Sequence, residues 1–217
     1  SATTVIGVSL ALALLITSQH FPLSMNHIVD VTFGVAQRMD ATLTFSETAD
    51  DRVLGEIARL PGVLAVEPLR GAEVFLTSGS RQRRETVMGM PEDAYLFRVL
   101  DEHMNAVPMR TEGITLSHNL AQKLGVRVGD RIHMQATDGP RASAELTVIA
   151  IVKPYLAGVA YMEMQALNRA LREPGRATAA YVLMDSNARD ELNADVKQMP
   201  MIAGISFLDT ASASMRK

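Results

Sequence analysis

One pattern occurs twice in this chain, and it limits the folds open to it. Thr42-Leu43-Thr44-Phe45 alternates in polarity like a half-buried strand, and apolar Val53, Ile57 and Leu60 then line one helical face that Pro61-Gly62 ends. Near the other end, Tyr181-Val182-Leu183-Met184 is followed by Leu192, Val196, Met199 and Pro200. Laid over each other without a gap, Pro61 falls on Pro200, with apolar residues one, four and eight positions before each proline. Beyond the prolines, Val63 and Val66 fall on Ile202 and Ile205. Any two strand-helix-strand units share a rough pattern, so chance phase agreement stands beside true repetition. Two such units pack side by side as one sheet with both helices on one face, so the expected class is α+β with a ferredoxin-like base.

The residues between the two units read as a β-rich lobe with helical inserts. A strand is expected over Val63–Pro68 and the chain runs on through Ala72–Leu76, with Thr77-Ser78-Gly79-Ser80 turning into a hairpin partner over Glu85–Met90. Ser46-Glu47-Thr48 is placed as the cap of the first helix. Asp93–Leu100 is predicted helical, and Glu102–Arg110 a polar loop. Ile114–Leu116 is a brief strand, and Ser117 caps a helix from His118 to Leu124 that Gly125 stops. Strands then follow at Arg131–Ala136 and Ala144–Val152, and a helix from Glu163 to Leu171 stops at Pro174-Gly175.

The chain opens without a single Asp, Glu, Lys or Arg from Ser1 to Val29, and Val5–Ile16 is almost wholly apolar. With no basic leader and no cleavage site, this favours the outer half of a transmembrane helix over a core or interface helix or a signal remnant. Met25, Ile28, Val29, Phe33 and Ala36 continue the helical spacing, extending a stalk to about Arg38, with Pro22 placed to kink it. At the far end Asp209 caps the start of another helix, so both extremities are expected on the same side of the base.

Chemistry is scarce. The 217 residues carry a net charge of -3 and no Cys, which removes thiol catalysis, thiolate metal sites and any broad attraction to nucleic acid. The 13 methionines suit gap-filling in a core, with a Met-lined binding surface as the alternative. His20, His27, His103, His118 and His133 are scattered, without the i, i+4 spacing of a helical zinc site. Ser117 and His118 are adjacent and so diverge at a helix start, and no nucleophile elbow is present. Asp50-Asp51, Glu92-Asp93 and Asp190-Glu191 are placed at helix N-termini, where the macrodipole accounts for them. No phosphate-cradling loop exists, so no ATP hydrolysis by this chain is expected. The dense basic cluster Arg81-Gln82-Arg83-Arg84 suits an acidic partner or a solvated hairpin end, and apolar Tyr155–Tyr161 suits an exposed contact loop or internal packing. The expectation is a chain with no catalytic, cofactor-binding or metal-ligating residues.

The order of these parts resembles a known family. An apolar helix, a unit ending in Leu60-Pro61-Gly62-Val63, an insert with Leu116-Ser117 and Lys123-Leu124-Gly125-Val126-Arg127-Val128-Gly129-Asp130-Arg131-Ile132, then Ala160-Tyr161-Met162 before Leu167-Asn168-Arg169, is similar to the extracytoplasmic domain of MacB/FtsX-type ABC transporter permeases. The resemblance implies a truncated membrane and stalk helix over 1–38 and a porter-like base from 39–79 and 177–208. It further implies an inserted lobe over 80–176 and the start of the next membrane-leading helix over 209–217. It implies a cytoplasmic ABC ATPase as partner, lipid around the N-terminal helix, a second permease copy, and no nucleic acid. The function implied is non-enzymatic: coupling of cytoplasmic ATP hydrolysis to export or lipoprotein release at the outer face of the inner membrane. An extracytoplasmic scaffold regulating a cell-wall hydrolase and a soluble hydrolase with an unrecognised site are the alternatives.

Overall fold

The computed structural model describes residues 36–138, 142–153 and 160–208. The apolar opening, the stalk before Ala36, most of the Tyr155–Tyr161 segment and the Asp209 helix start lie outside the described residues. The described part is mixed α+β, mostly strand, and it divides its strands between an open sheet and a barrel that share one member.

The open sheet is the product of the repeated pattern. Its first unit is β1 (Ala41–Ala49), α1 (Asp51–Ile57) and the first half of β2 (Val63–Ser78). The second unit is β8 (Ala177–Met184), α4 (Arg189–Val196) and β9 (Ile202–Phe207). The order is β9-β1-β8-β2, every neighbouring pair antiparallel. Alternation places Leu43, Phe45, Val182 and Met184 on one face, where Ile57 of α1 and Leu192 and Val196 of α4 close a core over them.

The remaining strands close on themselves. β3 (Arg81–Met90), β4 (Ile114–Ser117), β5 (Arg131–Ala136), β6 (Ser143–Val152) and β7 (Ala160–Glu163) join the second half of β2 in the ring β2-β3-β7-β4-β6-β5. The last member, β5, pairs back with β2 over Val74–Thr77, so this ring has no open edge. Val74, Leu76, Val87, Ile114, Leu116, Ile132, Met134 and Val148 fill its interior. Two helices contribute to that core: α2 (His118–Leu124) through Leu120, Ala121 and Leu124, and α3 (Met164–Leu171) through Leu167 and Leu171.

Several local expectations are corrected. The segment Asp93–Leu100 is not helical. It is an extended strap, because Gln37 bridges Phe97 and the amides of Arg38 and Arg98 donate to Leu96 and Ala36 carbonyls at 2.7 and 2.9 Å. The chain is thus extended from Gln37 onward, and the stalk expected before it lies outside the described residues. Glu92 and Asp93 accordingly sit at no helix N-terminus. Strand β1 runs on through Ser46-Glu47-Thr48 to a buried Ala49, since Ser46 bonds the Met201 and Pro200 carbonyls. The cap of α1 is instead Asp50, whose carboxylate accepts from the Arg52 amide at 3.0 Å. The strand expected at Val63–Pro68, with the chain running on through Ala72–Leu76, is one 16-residue strand. The helix ending at Leu171 closes on Arg172 in the left-handed region (φ 60), two residues before Pro174.

Candidate coupling site between the sheet and the barrel

Strand β2 changes partners at one peptide. Leu69 is its last residue paired with β8 of the sheet, and Arg70 is its first paired with β3 of the barrel. A single hydroxyl ties the two sides there: Thr178 Oγ1 of β8 accepts from the Gly71 amide at 2.7 Å and donates to the Leu69 carbonyl at 3.3 Å. A side chain at Gly71 would meet that hydroxyl at 3.5 Å.

Arg70 is buried at this switch, 6% exposed. Its Nη2 donates to the Glu173 carboxylate at 2.5 Å, while its Nε has no partner. Burial lowers the guanidinium pKa, which Glu173 partly restores and nearby Arg176 lowers further. Glu173 is delivered by α3. Glu163 caps that helix through the Gln165 and Ala166 amides, both at 2.7 Å. In its second turn, fully buried Asn168 donates Nδ2 to the Arg176 carbonyl at 2.9 Å, and its backbone carbonyl accepts from the Glu173 amide at 2.9 Å. The helix can lie this low over β3 because Gly89 has no side chain: a Cβ there would stand 2.9 Å from Leu167 and 3.2 Å from the Met164 backbone. Thr48 of β1, Arg70, Glu73 and Glu173 line a cleft of about 260 Å³ on this side.

The opposite side is packed by the strap. Glu67 Oε2 accepts from the Tyr95 and Leu96 amides at 2.7 and 3.0 Å, fixing the strap to β2 just before the switch. Phe97 of the strap then stacks on Tyr181 of β8, ring centroids 5.6 Å apart. Tyr181 and Tyr161 of β7 share this core with Met39, Met90, Leu96, Val99 and Met109. Burial pushes the Tyr161 phenol up to about 12 and that of Tyr181 higher still, the latter aided by the Glu67 charge. Sheet, barrel and strap therefore meet in one core, with an ion pair on one flank and aromatic packing on the other.

The residues weighed for chemistry are not brought together. His103, His118 and His133 are all exposed, and His20 and His27 lie outside the described residues. Ser117 is buried and its hydroxyl accepts from the Leu120 amide at 3.3 Å, which is the capping role. Asp190 and Glu191 occupy the first turn of α4 as expected. Among the described residues no three His, Cys, Asp or Glu side chains are placed to hold a metal, and no helix is long and apolar enough to cross a membrane. Met39, Met90, Met109, Met134, Met162, Met164 and Met184 are buried. Arg70, Glu173, Glu67 and Thr178 went unremarked in the sequence; a charge between Leu69 and Gly71 inside an apolar strand was the available signal.

This arrangement is a structural joint between two β modules. The sequence matches the MacB-like periplasmic core domain family over residues 1–199. The chain belongs to that family. Its fold is similar to the periplasmic region of MacB from Actinobacillus actinomycetemcomitans, with a TM-score of 0.57 and 11% identity over 88% of this chain and 98% of that one. The extracellular domain of the noncanonic ABC-type transporter YknZ from Gram-positive bacteria is more distant, at 0.49 and 12% over 71% and 88%. None of the curated proteins matches the chain.

Proposed function

We propose that this chain is the extracytoplasmic domain of an ABC transporter permease that converts helix movement at its base into movement of the barrel. The observation that carries the reading is the adjacency of entry and exit. The Leu208 amide donates to the Asp40 carbonyl at 2.9 Å, and Ala41 faces Phe207 across the β1–β9 pair. The chain thus enters and leaves the sheet at one place, as two neighbouring membrane helices require. In this reading residues 1–38 are membrane and stalk helix, 209–217 begin the next one, and the β9-β1-β8-β2 sheet is a ferredoxin-like, porter-like base. The lobe of 80–176 rides on it, with the second half of β2 carrying displacement across the joint.

Membership of a periplasmic core domain family supports an extracytoplasmic location. The outer face of the inner membrane, a cytoplasmic ABC ATPase as partner, lipid at the first helix and a second permease copy beside this one complete the proposed reading. Export or lipoprotein release is the work such a joint would perform. Because the chain lacks cysteine, paired labels are simple to introduce. Spin labels at Thr48→Cys and Asp138→Cys, both lining the cleft, would be measured in the reconstituted transporter. A distance that shifts between nucleotide-free and ATP-bound states supports coupling through the joint; one that stays fixed while transport proceeds overturns it.

A further inference from the structure

The barrel carries a second surface, at the hairpin end, that the joint does not use. Arg81 and Arg83 share the face of β3 that leads inward to Val87, so their stems emerge at the rim of the barrel core. The Arg81 guanidinium lies directly over Gly125, in the space a Cβ there would take. Gly125 is the left-handed cap (φ 70) that ends α2, so the contact brings β3 beside the stretch holding Lys123 and Arg127. Four exposed cations thereby gather on one rim, and none of them forms an ion pair among the described residues. By contrast Arg84 and Arg131 do pair, with Glu73 and Glu145. Two acids accompany the rim: Asp130, whose carboxylate accepts from the Arg127 amide at 2.7 Å, and half-buried Glu85 further along β3.

The same turn holds Val128 out into solvent, 59% exposed. Its backbone is fixed on both sides. The Asp130 amide donates to Arg127, the Gly129 amide to Val148 at 2.8 Å, and the Val148 amide back to Asp130 at 2.9 Å. Turns favour Gly, Asn, Asp, Ser and Pro, and nothing among the described residues covers this valine. An exposed apolar side chain next to Arg127, on a rim whose cations lack ionic partners among the described residues, is the arrangement of a small protein-docking surface, with an anchor and a charged rim.

We infer that the rim formed by Arg81, Arg83, Lys123 and Arg127 around Val128 docks an acidic segment of a partner protein that places one apolar side chain on Val128. Charge complementarity selects an acidic partner on a chain whose net charge is -3, so the basic character is local to this rim. A lipid surface is disfavoured, because membrane-interface binding draws on Trp, Phe and Leu spread over a long apolar face and this rim offers one valine.

The test is to pan a random twelve-residue peptide library against the chain and measure the enriched peptides on wild type, on the Arg81→Glu/Arg83→Glu double variant and on Val128→Ser. Expected are peptides rich in Asp and Glu with one apolar residue, weakened about tenfold by the charge reversal and about threefold by the valine change, with unaltered circular dichroism. Val128→Ser leaves every turn hydrogen bond in place and guards against a variant that merely misfolds. Neutral or basic enriched sequences, no enrichment, or binding indifferent to both variants overturns the proposal. So does rim-dependent sedimentation with phosphatidylglycerol vesicles while acidic peptides fail to bind.

Discussion

The two members of the Arg70–Glu173 pair are unequally buried, and that inequality predicts unequal consequences for removing them. Arg70 is 8% exposed at its side chain and Glu173 34%. Deleting the acid leaves a buried guanidinium without its one ionic partner, beside an unpartnered Nε and a repelling Arg176. Breaking a fully buried pair this way costs about 3 to 5 kcal/mol, and the water that already reaches Glu173 reduces this to about 2 to 3 kcal/mol for Glu173→Ala. Replacing the base instead leaves a carboxylate that water already solvates, and it removes the cost of burying a cation. Arg70→Met keeps an apolar stem against Gly89 and should cost no more than about 1 kcal/mol. In urea unfolding with a slope of about 2 to 3 kcal/mol/M, Glu173→Ala lowers the midpoint by about 1 M and Arg70→Met by less than half of that. An equal slope across variants ensures that the two β modules still unfold together. If Arg70→Met proves as costly as Glu173→Ala, burial asymmetry does not govern this joint and the reasoning fails.

Two further outcomes follow from glycine placement and from the buried phenols. Gly55 lies inside α1 with nothing within 4 Å of where a Cβ would stand, so Gly55→Ala should stabilise by about 0.5 to 1 kcal/mol; Gly62, at φ +75 with the Ala188 methyl filling the place of its missing Cβ, should lose about 2 to 4 kcal/mol on the same change. Thermal midpoints moving in the same direction for both would contradict this. Tyr161 and Tyr181 have folded pKa values raised by burial above the ordinary tyrosine value of 10.0. The stability this represents is whole below pH 10 and is lost as pH rises through the folded values, so unfolding should steepen between about pH 10 and 12. Tyr161 and Tyr181 should show delayed tyrosinate absorbance, and Tyr161→Phe or Tyr181→Phe should each remove one delayed step; prompt ionisation of both at pH 10 would refute their burial.

Legibility tracked the range of the forces involved. The α2 helix was readable from Ser117 to Gly125 because its cap and its stop are local chemistry, and the β2–β3 hairpin was readable because Gly79 takes the turn at φ 56. The paired units were readable because Leu43, Ile57, Val182, Leu192 and Val196 repeat with the period of the elements that bury them. The strap was misjudged for the converse reason. Asp93–Leu100 has adequate helix formers, yet its amides donate to Glu67 and to the Ala36 carbonyl and its Leu96 carbonyl accepts from the Arg38 amide, partners far away in sequence. Tertiary hydrogen bonds outweighed a weak local preference there.

Closure of the barrel was invisible for a deeper reason. Val63–Ser78 reads as strand on both sides of the point where its partner changes, and the lone charge at Arg70 marks the place without saying that the partner changes there. The change occurs where a β8 hydroxyl, a β3 glycine and the loop after α3 converge on Leu69-Arg70-Gly71, four segments separated by up to 109 residues. Because β2 is hydrogen-bonded on both sides of that point, it cannot slip past either module without breaking a ladder. In the proposed reading, relative movement of sheet and barrel is therefore confined to bending at Arg70, resisted on one flank by the ion pair and on the other by Phe97 on Tyr181. Those two flanks are unlike in kind: salt screens the first, while the second is apolar packing on a strap that Glu67 also holds. A joint loosened from either side alone keeps its other support, which is what the proposed function requires of a barrel that tilts without detaching from the sheet.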